Sequence, residues 1–181
     1  MKQSFYSALR LSFYLLIICG GLYTLIVLGL AWFAPGHGKG EKVSDKNGKT
    51  YFANIGQRFD KDIYFNSRPS AVNYNAAGSG GSNKGPSDPE YLKTVRARAN
   101  DFKVKNPGEQ VPVDMVTASG SGLDPDITVE AASEQIRRIA RLRQLKESAL
   151  LDLINHVRSN PLLGPEKVNV LKLNIALDEL K

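Results

Sequence analysis

LSFYLLIICGGLYTLIVLGLAWF, residues 11–33, runs for 23 residues without one Asp, Glu, Lys, Arg or His. At about 1.5 Å per residue a helix of this length spans roughly 34 Å, enough to cross a hydrocarbon core of ~30 Å. A helix satisfies its own backbone groups, so Thr24 and the interior glycines are tolerated there. Tyr14 and Trp32 stand near the two ends, where amphipathic rings favour the headgroup layer. The stretch predicts a membrane anchor. The rival reading is a cleaved signal peptide, for which Gly29 and Ala31 offer a small-x-small cleavage site. The apolar core of such a peptide usually runs only about 7–15 residues. No second run of this kind occurs, so a single pass is expected.

Outward from the anchor, residues 1–10 form a flank carrying Lys2 and Arg10. Residues 34–49, rich in Gly and Lys with Pro35, read as a linker, and residues 50–181 as one soluble domain. All 18 acids and all but two of the 24 bases follow the anchor, leaving a small, dispersed positive excess. That favours solubility and contact with acidic lipid over nucleic acid. Arg10 abuts the span, and the following domain is long enough to translocate regardless of charge, so the N-terminus is placed inside. The lone cysteine, Cys19, lies within the anchor, which excludes a disulfide or a cysteine-based metal site.

The fold class predicted is α+β: one N-terminal transmembrane helix followed by a single small mixed α/β soluble domain. Asn47-Gly48 signals a tight turn leading into a strand over Thr50–Ile55. Residues 56–85 are dense in Gly, Asn, Ser and Pro, yet Phe59, Tyr64, Phe65 and Tyr74 argue for an ordered, packed segment. Ser87 or Asp88 caps a helix with Pro89 in its first turn and Leu92, Val95, Ala99 and Phe102 on one face. Val111, Val113 and Met115 alternate toward Thr117 as a second strand. A helix starting near Thr128 carries Ala132, Ile136, Ile139 and Arg143 on one face. Its Arg137, Arg138, Arg141 and Arg143 read as a solvated basic face or a docking surface for an acidic partner. A further helix holds Leu150, Leu153, Ile154 and Val157, and residues 168–180 read as a strand turning into a short helix.

No complete catalytic set is present. Gly48-Lys49-Thr50 lacks the glycine a phosphate-binding loop needs five residues earlier, where Val43 stands. The run Gly78–Gly85 could cradle an anion, but Gly85 follows Lys84 where Ser or Thr is required. His37 falls in the linker and His156 at a helix end, and no Gly-x-Ser-x-Gly elbow surrounds a serine. Asp124 and Asp126 read as loop caps rather than cation ligands.

Several blocks in order carry a resemblance: Arg68-Pro69-Ser70-Ala71, Tyr74-Asn75-Ala76-Ala77, Ser79-Gly80-Gly81-Ser82-Asn83, Val116-Thr117-Ala118-Ser119-Gly120-Ser121-Gly122-Leu123-Asp124-Pro125, and residues 168–178. Behind one N-terminal span, this order resembles the C subunit of Kdp potassium-transporting ATPases over nearly the whole chain. The resemblance implies a non-catalytic accessory subunit in the bacterial inner membrane with its domain outside. The implied partners are a channel-like potassium-translocating subunit, a P-type ATPase subunit, a small single-span subunit and the lipid bilayer. It implies a catalytic chaperone that raises the ATP affinity of the ATPase subunit. No cofactor is its own, since ATP and K+ are bound by the complex. Some relatives carry a Leu-Ser-x-x-Gln stretch where this chain has Leu145-Lys146-Glu147-Ser148-Ala149, which argues against direct nucleotide contact. The expected docking residues are Arg68, Pro69, Ser70, Tyr74, Asn75, Ser82, Asn83, Ser119, Ser121 and Asp124. Arg68 leads them because its fork can hold a carboxylate in two bonds. The alternative is a free-standing anchored protein that captures an anion in the Ser79–Gly85 loop.

Overall fold

The computed structural model describes residues 2–180, so Met1 and Lys181 lie outside the described residues. The fold is α+β: an apolar N-terminal helix, then a small domain of short helices and two two-stranded sheets. The chain divides into two compact units, Met1–Lys42 and Val43–Lys181.

In the first unit, α1 (Lys2–Leu15) runs through a wide π-helical segment (Leu16–Leu22) into α2 (Tyr23–Ala31). Residues 2–10, read as a flank, are therefore helical. Ser4–Ala31 is the one described helix long and apolar enough to cross a membrane. The Tyr23 N–H reaches back five residues to the Ile18 carbonyl. Adjacent Gly20 and Gly21 hold the α-helical register weakly, which locates the wide turn. The Thr24 hydroxyl lies 2.6 Å from the Gly20 carbonyl and 2.7 Å from that of Gly21. The helix stops at Ala31, two residues short of the expected Phe33. Phe33 and Ala34 donate to carbonyls three residues back, and Pro35 has no N–H to continue the ladder.

In the second unit, β1 (Lys42–Ser44) and β2 (Thr50–Phe52) form a hairpin around the expected turn. Asp45 builds that turn, its Oδ1 accepting the Asn47 and Lys49 N–H groups at 2.9 Å each. The first strand falls inside the segment read as linker, and β2 ends before the expected Ile55 because Ile55 N–H turns back to Phe52. The long Gly-rich segment is packed as its aromatics predict: Phe65 is fully buried, and the rings of Phe59 and Tyr64 lie 5.7 Å apart.

Helix α3 (Pro89–Lys105) is capped by Asp88, whose carboxylate accepts from Glu90 and Tyr91 N–H. Phe102 anchors its inner face, whereas Leu92, expected beside it, is 41% exposed. Arg98 faces inward instead and donates to the Val116 carbonyl at 2.9 Å. The expected strand over Val111–Thr117 is a 3-10 turn at Val113–Met115. Pro112 cannot donate to a ladder, and the Asp114 carboxylate is drawn away to the Thr128 N–H at 2.8 Å.

Strands β3 (Asp126–Thr128) and β4 (Lys167–Asn169) pair antiparallel, with Ile127 opposite Val168, both buried. Thr128 caps α4 (Val129–Ser133) as expected, its hydroxyl accepting from Ala131 N–H. The helix does not run on unbroken. It breaks at Glu134 and Gln135 before α5 (Ile136–Arg143), because the buried Gln135 side chain bonds to the neighbouring loop and to the Ala131 carbonyl. Helix α6 (Glu147–Val157) buries Leu150 and Ile154. Asn169 ends β4 and caps α7 (Val170–Glu179), the expected strand-to-helix succession. Phe65, Phe102, Ile127, Ile139, Leu150, Ile154, Val168, Leu173 and Leu177 meet in one core.

Candidate functional site

Two polar, Gly-rich loops interlock on one side of this core. The first, residues 68–85, is tied to the second, residues 117–124, mainly through serines. The Ser70 hydroxyl donates to the Gly122 carbonyl at 2.6 Å and accepts from Val72 and Tyr74 N–H. The Ser79 hydroxyl and the Gly80 N–H both donate to the Ser121 carbonyl, at 3.1 and 2.8 Å. Two glycines make the approach possible. Gly122 has φ +67°, and a Cβ there would stand 2.7 Å from Val72. A Cβ on Gly81 would stand 3.0 Å from the Gly120 carbonyl oxygen.

Arg68 joins the loops by charge. Its Nη1 lies 3.3 Å from Asp124 Oδ2 and 4.0 Å from Asp114 Oδ1, and its Nη2 donates to the Thr117 hydroxyl at 3.4 Å. The carboxylate expected on a partner is thus supplied within the chain. The Arg68 Nε is buried and has no hydrogen-bond partner among the described residues. Tyr74, with φ +58°, donates its hydroxyl to the Arg68 carbonyl. Burial pushes the Tyr74 phenol above its ordinary value, and the charge of Asp124 adds to this.

Of the expected residues, Arg68, Ser70, Tyr74, Ser119, Ser121 and Asp124 are brought together. Ser119 is buried and holds the turn from inside, its hydroxyl accepting the Gly122 N–H at 3.0 Å. The Ser121 hydroxyl accepts from Leu123 N–H, and Asp124 Oδ1 from Asp126 N–H. Pro69 is half-buried between Arg68 and Ser70. Asn75 is exposed and closes a small turn, its Oδ1 accepting from Ala77 N–H. Ser82 and Asn83 are exposed further along the loop, Asn83 with φ +53°. The Gly80 N–H, one of the groups an anion would need, is already bonded to Ser121.

A second polar cluster, which the sequence reading missed, fixes residues 62–66, the segment that leads into the first loop. Arg138 is 4% exposed. Its Nε donates to Asn106 at 2.9 Å, its Nη1 to the Asp62 and Tyr64 carbonyls, and its Nη2 to Gln135 at 2.8 Å and Asn66 at 3.4 Å. Burial lowers its pKa, and nearby Asp62 opposes the shift. Arg143 is likewise inward, with its guanidinium 2.7 Å from Asp178 and 4.7 Å from the centre of the Tyr64 ring. The Tyr64 hydroxyl donates to Asp178, and burial first, then Asp178, raises its pKa. The basic-face reading therefore holds for Arg137 and Arg141 alone. The signal available in advance was spacing: Arg138 falls beside Gln135 and Ile139 on the inner side of the turn.

Comparison with known proteins places this architecture. A family model described as "KdpC: K+-transporting ATPase, c chain" matches residues 5–179. A protein named potassium-transporting ATPase KdpC subunit from Flavobacterium psychrophilum is 46% identical over 183 residues, covering 99% of this chain and all of the relative. A protein of the same name from Flavobacterium johnsoniae is 48% identical with the same coverage. One from Bacteroides thetaiotaomicron is 43% identical over 189 residues, again spanning 99% of this chain and the whole relative. The interlocked loops and the apolar N-terminal helix both fall within the matched region, and the chain belongs to the KdpC family of K+-transporting ATPase subunits.

Proposed function

We propose that this chain is the non-catalytic accessory subunit of an ATP-driven potassium uptake pump, serving assembly and coupling. The single observation that carries the reading is the family match over residues 5–179, which takes in the apolar helix and both interlocked loops. The helix anchors the chain in the bacterial inner membrane with the N-terminus in the cytoplasm and residues 50–181 outside. Gly20, Gly21 and Gly29 have open space where a Cβ would stand, which suits close packing among partner helices. The partners are a channel-like potassium-translocating subunit, a P-type ATPase subunit that binds the ATP, and a small single-span subunit.

The exposed rim of the interlocked loops, Asn75, Ser82, Asn83 and Ser121, faces the channel-like partner. Arg68, Pro69, Ser70, Tyr74, Ser119 and Asp124 hold that rim in shape. Polar loops fixed on a rigid core are a usual seat of binding. The subunit acts as a catalytic chaperone, raising the ATP affinity of the ATPase subunit. A domain outside the membrane reaches a cytoplasmic nucleotide site only through coupled conformational states, and such couplings commonly amount to about 5–150-fold.

The test has two readouts. Single cysteines at Ser82 and Ser121 in a Cys19→Ser background are labelled in intact cells with an impermeant thiol reagent, beside a Lys39 cysteine as control. Labelling is expected at Lys39 in the assembled complex and at all three when the chain is made without its partners; protection of Lys39 until the membrane is opened overturns the orientation. ATP hydrolysis is then measured on the complex with and without the chain. The KM for ATP should rise about tenfold without it, and an unchanged KM in an intact residual complex overturns the chaperone role.

A further inference from the structure

We infer that the cleft between the β1–β2 hairpin and α7 binds the anionic phosphodiester headgroup of a lipid from the membrane that holds the anchor; this rests on the anchor reading above. The cleft lies wholly within the second unit and has a volume of about 360 Å³. Sites for small ligands commonly measure roughly 300–1,000 Å³. One wall is a stripe of α7, where Leu171 and Ile175 stand one turn apart. The others are Tyr51 of β2 and the ring pair of Phe59 and Tyr64.

The open hydrogen-bonding capacity of its charged groups is cationic. Both carboxylates in the cleft are satisfied inside the chain. Asp45 accepts the Asn47 and Lys49 N–H groups and, at 3.4 Å, the Tyr51 hydroxyl. Asp178 accepts from Arg143 at 2.7 Å and from the Tyr64 hydroxyl at 2.9 Å. The two bases differ. Lys49 has no ion-pair partner among the described residues, and its Nζ lies 4.9 Å from the centre of the Tyr51 ring. Arg58 gives its Nε to Asp60 at 2.8 Å in an exposed pair, and its two Nη groups have no partner among the described residues.

A site whose acids are filled and whose ammonium and guanidinium donors are open takes an anion rather than a cation. Its aromatic and aliphatic walls take the carbon skeleton attached to that anion. The place of the hairpin in the chain decides the source. Only ten residues, 32–41, separate the end of α2 at Ala31 from β1 at Lys42. Such a tether reaches at most about 40 Å, so the cleft meets lipid headgroups at a high effective concentration. Lys39, Lys42 and Lys46 belong to the same stretch, and bases beside a span draw anionic lipid toward it. A soluble phosphate ester gains nothing from the tether.

The experiment uses the full chain in nanodiscs of phosphatidylcholine and phosphatidylglycerol, with a trace of a phosphatidylglycerol that carries a photoactivatable diazirine on its headgroup. After irradiation the labelled peptides are mapped by mass spectrometry. Label is expected around Tyr51, Phe59 and Ile175, and a phosphatidylcholine probe of the same design should label them roughly tenfold less. Lys49→Glu combined with Arg58→Glu should lower the label about tenfold at ~0.1 M salt, whereas Lys49→Arg with Arg58→Lys should keep it. Arg141→Glu with Lys146→Glu makes the same change of charge away from the cleft and should also keep it. All four positions are exposed, so the variants fold, and circular dichroism checks this. Label absent from the cleft, equal label from the two probes, unchanged label in the reversed variant, or an equal fall in the off-cleft pair overturns the inference. So does loss of the label to millimolar glycerol phosphate, which would make the cleft a site for a soluble ester. If the native chain does not stay with the nanodisc on gel filtration, the anchor reading has failed instead.

Discussion

The side chain of Asn174 replaces a missing strand for Phe65: its Oδ1 accepts the Phe65 N–H and its Nδ2 donates to the Phe65 carbonyl, both at 2.9 Å. Residue 65 lies in a segment without regular structure, and both residues are buried, so no solvent is at hand to replace these bonds. One amide thus fastens the Gly-rich segment to α7.

Asn174→Leu keeps the branched outline, though with a larger volume, and removes both bonds. It should cost roughly 2–6 kcal/mol, because two buried backbone groups lose their partners at about 1–3 kcal/mol each. Thermal unfolding of the full chain in detergent checks this; a loss below about 1 kcal/mol would show that the segment re-forms its bonds elsewhere.

Gly122→Ala should loosen the two loops without touching the core. The residue sits at φ +67°, and its new methyl would meet the Val72 side chain at 2.7 Å and the Gly80 carbonyl oxygen at 2.8 Å. A cost of roughly 2 kcal/mol is expected from the left-handed backbone and the clash together. Gly120→Ala is the control, since nothing lies within 4 Å of a Cβ there and its φ is ordinary. Limited proteolysis across residues 68–85 should accelerate in the first variant only.

Arg138 separates charge from shape. Its fork serves Asn106, Gln135, Asn66 and two backbone carbonyls at once. Arg138→Lys keeps the charge but carries three donors on one nitrogen, which cannot span those acceptors. A loss of roughly 3–5 kcal/mol in unfolding free energy is expected, close to that of Arg138→Met. Near-native stability in the lysine variant would mean that the charge alone holds the loop.

These tests mark where the sequence was readable. Helix starts at Asp88 and Thr128 were legible because a side-chain oxygen and the N–H groups it satisfies are two or three residues apart. The Asn47-Gly48 turn and the α6 face were legible for the same local reason. Strand β3 was not, since three residues give no period, and Ile127 finds Val168 only through the tertiary fold, whereas β4 was legible as the strand that turns into α7. The loops of the candidate site were picked out as blocks of residues, but their interlock was hidden. Arg68 meets Asp124 across 56 residues, and Ser70 reaches Gly122 across 52. Arg138 and Arg143 read as surface because a charge count cannot see the carbonyls of residues 62–64 waiting for them.

Alkaline pH should weaken the fold through Tyr64, whose phenol is raised above its ordinary value by burial first and by Asp178 next. A folded-state pKa above the unfolded one means that the contribution is fully present below about pH 10 and is lost as the pH rises through the folded value. Burial raises the Tyr74 phenol in the same sense, and the hydrogen bond from Lys167 to Asp126 raises the lysine. All three terms therefore fall in one alkaline window. Stability should be level from about pH 6 to about pH 9 and then decline. Tyr64→Phe deletes the titrating group and the donor to Asp178, while Arg143 still holds that carboxylate at 2.7 Å. The variant should start lower at neutral pH and decline less steeply above about pH 10. Parallel native and variant curves across that window would remove Tyr64 from the alkaline transition and leave it to Tyr74 and Lys167.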